Sequence, residues 1–201
     1  MQGAHVVSWG SVTVSATPEL AFEVLTDYDR MAEFLPGMLA SAVVSRNGNT
    51  VVIEQSADQG IFLFRHRVEA RLAIVESPPR RLSIRALAGS FKEFDGSYLL
   101  TRKKDHTLIE YRCRFLPDFH LPAMIGTYAV QRSLERHLDA LANEIERRLA
   151  EDRAQETASE AQQAQQAREA EADAARPGAG AGTPAPSGAS EIAGEAARSG
   201  E

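Results

Sequence analysis

IFLFRHRVEARLAIVE, residues 61–76, is the stretch that decides the fold. Apolar side chains and one histidine occupy every second position, and arginines and glutamates occupy most of the positions between them. A period of two is typical of a β-strand that buries one face and exposes the other. The residues predicted to face the core are Phe62, Phe64, His66, Val68, Ala70, Leu72 and Ile74. The opposite face, with Arg65, Arg67, Glu69 and Arg71, is interpreted as a solvated surface of mixed charge.

Further strands are predicted on both sides of this one, from alternating apolar residues and the turn residues that separate them. The predicted strands are residues 5–15, 41–45, 50–55, 61–76, 82–86, 91–101 and 107–116. The predicted turns are RNGN at 46–49, Asp58–Gly60, SPPR at 77–80 and KKDH at 103–106. Six strands in sequence with short connections predict an antiparallel meander.

Two short helices are predicted after the first strand, in ATPELAFEVLTDYDRMAEFLPG at residues 16–37. Thr17 can cap the first helix, and Pro18 suits its first position. Asp27 is the expected cap of the second, which Pro36 and the following glycine end. We interpret Asp27, Tyr28 and Asp29 as local structure and not as a site, with Tyr28 packing the two helices together.

A long amphipathic helix is predicted from about residue 122 to 149. Leu134, Leu138, Leu141, Ile145 and Leu149 recur at spacings of three and four, which places them on one apolar stripe. The segment before this stripe differs, because it contains Met124, Ile125, Gly126 and Tyr128. A glycine inside a helix costs about 1 kcal/mol relative to alanine, so it usually has a packing reason.

Composition changes near residue 150. Residues 151–201 contain ten acidic and four basic residues, which account for the whole net charge of −6. Between Leu149 and Ile192 there is no large apolar side chain, so this segment cannot offset its ordering entropy by burial. We therefore predict one folded domain at 1–150 and a disordered acidic tail at 151–201. Its Ala, Glu and Gln residues up to 176 can continue the helix for some turns.

Several function classes find no support in the sequence. The first 150 residues are electrically balanced, so no nucleic-acid partner is expected. The single cysteine, Cys113, excludes a disulfide framework within the chain. No phosphate loop or metal-binding motif is present, so no cofactor and no metal are expected. No apolar run is long enough for a membrane span and no signal peptide is visible, so the expected location is cytoplasmic.

The order of one strand, two short helices, six strands and one long helix resembles the START-like superfamily, in particular its polyketide cyclase/dehydrase and lipid-transport families. DYDRMAEFLPG at 27–37, ESPPRRLSIRA at 76–86 and FKEFDGSYLLTRKKDHTLIEYRCRF at 91–115 carry the resemblance. The coenzyme Q-binding START-like proteins are the nearest in pattern. Tyr98 stands where many relatives have Trp.

The resemblance implies an α+β helix-grip fold, also called START/Bet v 1-like. A seven-stranded antiparallel sheet then curls around the C-terminal helix and leaves a largely apolar cavity between them. Such a cavity suits a hydrophobic small molecule. The residues predicted to line it are Phe62, Phe64, His66, Tyr98, Tyr111, Phe115, Met124, Ile125 and Tyr128.

We favour a non-enzymatic carrier of a lipid, an isoprenoid quinone or a polyketide-like metabolite, in support of respiratory quinone or lipid metabolism. A transient contact with a membrane is compatible with that role. One alternative is an aromatase/cyclase-like enzyme acting on a polyketide, for which His66, Tyr98 and Tyr111 are the inward polar groups. The other is an interaction protein resembling the ribosome-association toxin. No catalytic residue is assigned.

Overall fold

The computed structural model describes residues 5–61, 64–118 and 123–174, with the backbone alone at 59–61, 64–66, 123–127 and 172–174. The chain separates into two compact units, Met1–Glu156 and Thr157–Glu201. The strands are β1 (Val6–Val14), β2 (Met38–Asn47), β3 (Thr50–Ile61), β4 (Phe64–Ser77), β5 (Arg81–Gly89), β6 (Phe91–Arg102) and β7 (Thr107–Pro117). The helices are α1 (Pro18–Thr26), a 3₁₀ turn (Tyr28–Arg30), α2 (Met31–Phe34) and α3 (Ala123–Ala174).

The seven strands form one antiparallel sheet in the order β1-β7-β6-β5-β4-β3-β2. Strands β2 to β7 follow one another as a meander, and β1 joins at the far side by pairing with β7. β1 and β2 are therefore the two edges, and the sheet is open. With the long C-terminal helix this is the helix-grip arrangement, which confirms the predicted fold class.

The alternation in β4 divides its two faces as predicted. Val68, Leu72 and Ile74 are buried, whereas the side chains of Arg67 and Arg71 are exposed. On the outer face Arg67 pairs with Glu69 of the same strand. Exposed ion pairs of this kind contribute little to stability, about 0–1 kcal/mol. The contribution of this strand to folding stability therefore comes mainly from the side chains of its buried face.

One predicted turn is wrong. Residues 58–60 do not end β3, because Asp58 pairs with Arg67 and Gly60 with Arg65 in a continuous ladder with β4. Backbone hydrogen bonds to a neighbouring strand outweigh the weak turn preference of these residue types. Residues 62 and 63, which follow β3 in the sequence, lie outside the described residues. The RNGN turn is confirmed, with Gly48 at a φ of 55°.

The short helices confirm one predicted cap and overturn the other. The Thr17 hydroxyl accepts a hydrogen bond from the Leu20 backbone N–H at 3.3 Å, and Pro18 opens the helix. Asp27 makes no side-chain capping bond. Its carboxylate instead accepts from the Arg148 guanidinium at 2.6 Å, which ties α3 to the end of α1. A charged donor outcompetes the neutral backbone amide for this carboxylate.

The predicted stripe of α3 is confirmed as core. Leu134, Leu138, Leu141 and Ile145 are buried against the same face of the sheet that buries Ile109. Each fully buried aliphatic side chain contributes about 1.5–3 kcal/mol relative to exposure. Helix and sheet are thus held together by one continuous apolar layer.

Beyond this core the chain remains helical to Ala174. The side chains of 151–171 are exposed, so high helix propensity and not burial accounts for these turns. The helix thus extends over 151–174 of the predicted tail, and the disorder of the tail stays a prediction. The domain boundary near 150 stays a prediction, and residues 175–201 lie outside the described part.

Candidate functional site

A cavity of about 280 Å³ lies between the concave face of the sheet and α3. Its volume is near the lower end of the range for small-molecule pockets, about 300–1,000 Å³. The sheet contributes an aromatic wall, composed of Phe91, Phe94, Tyr98, Tyr111 and Phe115. The helix contributes Ala129, Val130, Ser133, Leu134, Arg136, His137 and Leu141. The lining is therefore mostly apolar, with a few polar groups at defined places.

Three of the predicted lining residues are in this wall: Tyr98, Tyr111 and Phe115. The pairing of β6 with β7 brings them together, because it places Tyr98 opposite Tyr111 and Phe94 opposite Phe115. The other predicted sheet residues, Phe62, Phe64 and His66, have side chains outside the described part. So do Met124 and Ile125 of the helix.

Tyr128 was predicted to line the cavity and does not. Its side chain is 73% exposed, whereas the next two residues, Ala129 and Val130, face the cavity. Each residue of a helix advances about 100° around the axis, so neighbours point in different directions. The described lining of α3 therefore begins after Tyr128 and continues into the stripe that the sequence assigned to core alone.

His137 is a polar cavity-lining residue that the sequence analysis did not identify. It lies three residues after Leu134 and four before Leu141, hence on the apolar stripe of α3. This spacing could have identified His137 from the sequence, because a histidine on an otherwise apolar face needs a hydrogen-bond partner. The partner is Tyr98, whose hydroxyl lies 2.7 Å from His137 Nε2.

Burial keeps this pair uncharged. Removal from water lowers the pKa of His137 to about 4, because desolvation disfavours the charged imidazolium. The same cause raises the pKa of the Tyr98 and Tyr111 hydroxyls. At neutral pH all three groups are neutral, and they can accept or donate hydrogen bonds without carrying charge.

Tyr111 completes this group of polar side chains. Its ring centroid is 4.5 Å from that of Tyr98 and 6.5 Å from that of His137. Gly96 provides the space, since a Cβ there would lie 3.1 Å from the Phe94 ring and 3.5 Å from the Tyr111 hydroxyl. Gly96, two residues before Tyr98, thus has a local packing role. We call Tyr98, Tyr111 and His137 the polar triad.

A second buried polar group lies beside α1. The Tyr28 hydroxyl donates to Glu76 Oε1 at 2.9 Å, and Arg46 donates to Glu76 Oε2 at 2.8 Å. Tyr28 lines the cavity, and its hydrogen bond to Glu76 connects the 3₁₀ turn to β4. It therefore does more than pack the two short helices together, which is the role predicted from the sequence. Glu76 is buried, and its position in the sequence places it on the same face of β4 as Leu72 and Ile74, opposite to the solvated Glu69.

Two observations bear on other kinds of site. Among the described residues no group of three or more His, Cys, Asp or Glu side chains is close enough to hold a metal ion. No helix in the described ranges combines the length and apolar character that a membrane span needs.

Solved structures share this fold. The Zhui aromatase/cyclase from Streptomyces sp. R1128 matches with a TM-score of 0.63 at 17% identity, over 73% of this chain and 96% of its own. A START superfamily protein from Mycobacterium smegmatis matches with a TM-score of 0.62 at 14% identity, over 72% of this chain and 99% of its own. A STAR-related lipid transfer protein from Xanthomonas axonopodis matches with a TM-score of 0.56 at 14% identity, over 69% of this chain and 84% of its own. Such identities establish fold and not activity.

The sequence comparison is more direct. A search of curated protein sequences gave no match. The family model for polyketide cyclase / dehydrase and lipid transport matches residues 14–142, which is more than half of the 201 residues. The match includes six strands, the short helices and the part of α3 that lines the cavity. The chain therefore belongs to the polyketide cyclase/dehydrase and lipid transport family.

Proposed function

We propose that this protein binds and carries an apolar small molecule in the cavity between the sheet and α3. The observation that supports it best is an apolar cavity lined by both sheet and helix, next to the cluster of buried apolar side chains that joins them. Apolar surface left facing a cavity is stabilised by an apolar occupant. The candidate occupants are a lipid, an isoprenoid quinone and a polyketide-like metabolite, with a role in quinone or lipid metabolism.

Native mass spectrometry of the purified protein tests this directly. The expected result is an added mass from a co-purified apolar molecule, which organic extraction removes. A short-chain ubiquinone and decanol should also raise the melting temperature of the extracted protein, since a ligand that binds only the folded state stabilises it. Trp9 is 69% exposed, so calorimetry is a better readout than tryptophan emission.

A pair of neighbouring substitutions separates cavity binding from surface binding. Ala129→Trp fills the helix side of the cavity, because Ala129 is a lining residue. Tyr128→Trp is the control, because Tyr128 is exposed. Ala129→Trp should weaken decanol binding by at least about tenfold, whereas the control should change it by less than about twofold. Equal binding by both variants would contradict binding in the cavity.

A carrier must also load and release its ligand, and transient membrane contact is part of this proposal. Val7 and Trp9 support it, since they lie two residues apart on edge strand β1 and are 66% and 69% exposed. Exposed aromatic and aliphatic side chains of this kind suit the membrane interface. Wild type should co-sediment with phosphatidylcholine vesicles, and Trp9→Ser should reduce that fraction. A cytoplasmic location is part of the same proposal.

An aromatase/cyclase-like activity is the second candidate, and the Tyr98–His137 hydrogen bond favours it. A neutral histidine paired with a hydroxyl can take a proton from a bound polyketide and return it. Incubation with an aromatic-polyketide precursor tests this. Cyclised product that disappears in His137→Gln would support catalysis, and product formation equal to the uncatalysed rate would exclude it for that precursor. The interaction-protein alternative has no comparable support in the described residues.

A further inference from the structure

Two of the tyrosines that line the cavity, Tyr28 and Tyr98, differ in what their hydroxyls can still do. The partner of Tyr28 is the Glu76 carboxylate, which also accepts from Arg46. An ionised carboxylate has no proton to give, so the Tyr28 hydroxyl is fixed as a donor. Its proton is therefore not available to a ligand.

The hydroxyl of Tyr98 is not fixed in this way. Its partner is His137 Nε2, and a neutral imidazole carries its proton on either of its two nitrogens. With the proton on Nε2, His137 donates and the Tyr98 hydroxyl is free to donate to a ligand oxygen. With the proton on Nδ1, His137 accepts and the Tyr98 oxygen is free to accept. The pair can thus match a carbonyl or a hydroxyl.

The charges around the polar triad disfavour an ionised ligand. Of the described lining residues only Arg136 carries a permanent charge, and its side chain is exposed. A carboxylate bonded at Tyr98 would lose its hydration among aromatic rings, and the described lining contains no buried cation to offset that loss. Burying an unpaired ionised group is far more costly than burying a neutral one that is hydrogen-bonded.

We propose that the ligand carries a neutral oxygen group, a hydroxyl or a carbonyl, which hydrogen-bonds to the Tyr98–His137 pair while its apolar body contacts the aromatic wall. This inference rests on the proposed function, because it names the class of molecule that the cavity selects. It makes Tyr98 and His137 specificity-determining residues, and it excludes a fatty acid anion as the preferred occupant.

Four ten-carbon probes test it: decanol, decanone, decanoate and decene. They share an apolar chain and differ in the end group, so titration calorimetry at neutral pH compares end groups alone. Wild type should bind decanol and decanone about three- to tenfold more tightly than decene. It should bind decanoate at least about tenfold more weakly than decanol.

Tyr98→Phe removes only the hydroxyl, and Tyr128→Phe makes the same change at an exposed position of α3. Tyr98→Phe should abolish the preference for decanol over decene and leave decene affinity within about twofold. Tyr128→Phe should retain the preference. Decene cannot form a hydrogen bond, so its unchanged affinity shows that the variant's cavity is intact.

Other outcomes overturn the inference in distinguishable ways. Equal binding of all four probes, or an equal loss of decanol and decene affinity in Tyr98→Phe, shows that the pair does not select the end group, while the cavity still binds. Tightest binding of decanoate, lost in Arg136→Ala, shows an anion held at Arg136 instead. If wild type binds none of the probes, the proposed function fails and this inference with it.

Discussion

Protonation of His137 should destabilise the folded protein in mild acid. Burial lowers the pKa of this imidazole from 6.5 to about 4, and the unfolded chain exposes it to water. Between these two values the unfolded state binds a proton that the folded state does not. The contribution of His137 to the free energy of unfolding is therefore complete above pH 6.5 and is lost as the pH falls toward 4.

The magnitude follows from the two pKa values. Between pH 7 and pH 5 the linkage relation gives a loss of about 2 kcal/mol of unfolding free energy from this one residue. Because the hydrogen bond from Arg147 lowers the pKa of the buried Glu144 carboxyl to about 2, its contribution is lost below pH 4.5. The interval from pH 7 to pH 5 therefore separates His137 from Glu144.

Urea unfolding at pH 7 and pH 5 measures this loss. His137→Gln keeps a polar side chain but has no proton to bind, so its unfolding free energy should fall by about 2 kcal/mol less than that of wild type over the same interval. His106→Gln is the matched control, because His106 is exposed in the β6–β7 turn. It should show the same pH dependence as wild type.

The reasoning is refuted if His137→Gln and wild type lose the same free energy between pH 7 and pH 5. An NMR titration of the His137 ring gives an independent answer. Its midpoint should lie near 4. A midpoint near 6.5 would mean that solvent reaches the ring.

Three further substitutions test the packing of the folded domain. Leu141→Ala deletes a side chain that is 1% exposed and should cost about 2–5 kcal/mol in urea unfolding. Gly89→Ala should cost more than about 2 kcal/mol, because Gly89 has a φ of 118° and its added Cβ would overlap the Glu69 carbonyl oxygen; unchanged stability would mean that the backbone of β4 and β5 can shift around the added methyl group. Tyr28→Phe removes the hydroxyl donor to Glu76 and should cost about 1–3 kcal/mol, and a cost below about 0.5 kcal/mol would show that Arg46 alone satisfies this carboxylate.

Much of the fold could be predicted from the sequence because its signals are local. The alternation around Val68 and Leu72 identified a strand and its buried face, since side chains of a strand alternate between two sides. The spacing of Leu134, Leu138 and Leu141 did the same for α3. The cap at Thr17 depends only on the residues of one helical turn.

The sequence predicts an apolar cavity between sheet and helix, but it identifies only part of the residues that line it. The wall containing Tyr98 and Tyr111 followed from strand parity, because β6 and β7 are joined by a short hairpin. The lining residues of α3 could not be predicted in this way. An apolar stripe shows which face of a helix is buried, but not which of its turns lie against a cavity. Tyr128 was therefore placed in the lining and His137 was not.

The strands, the helices, their order and the face that each one buries could be predicted locally, because they depend on side-chain periods of two and 3.6 residues. Which side chains meet across the cavity depends instead on how the elements pack. Tyr98 and His137 are 39 residues apart in sequence, and their hydroxyl and imidazole lie 2.7 Å apart. That distance depends on where α3 crosses the sheet. Interlocking of side chains from all the packed elements determines that crossing, and no local pattern in the sequence encodes it.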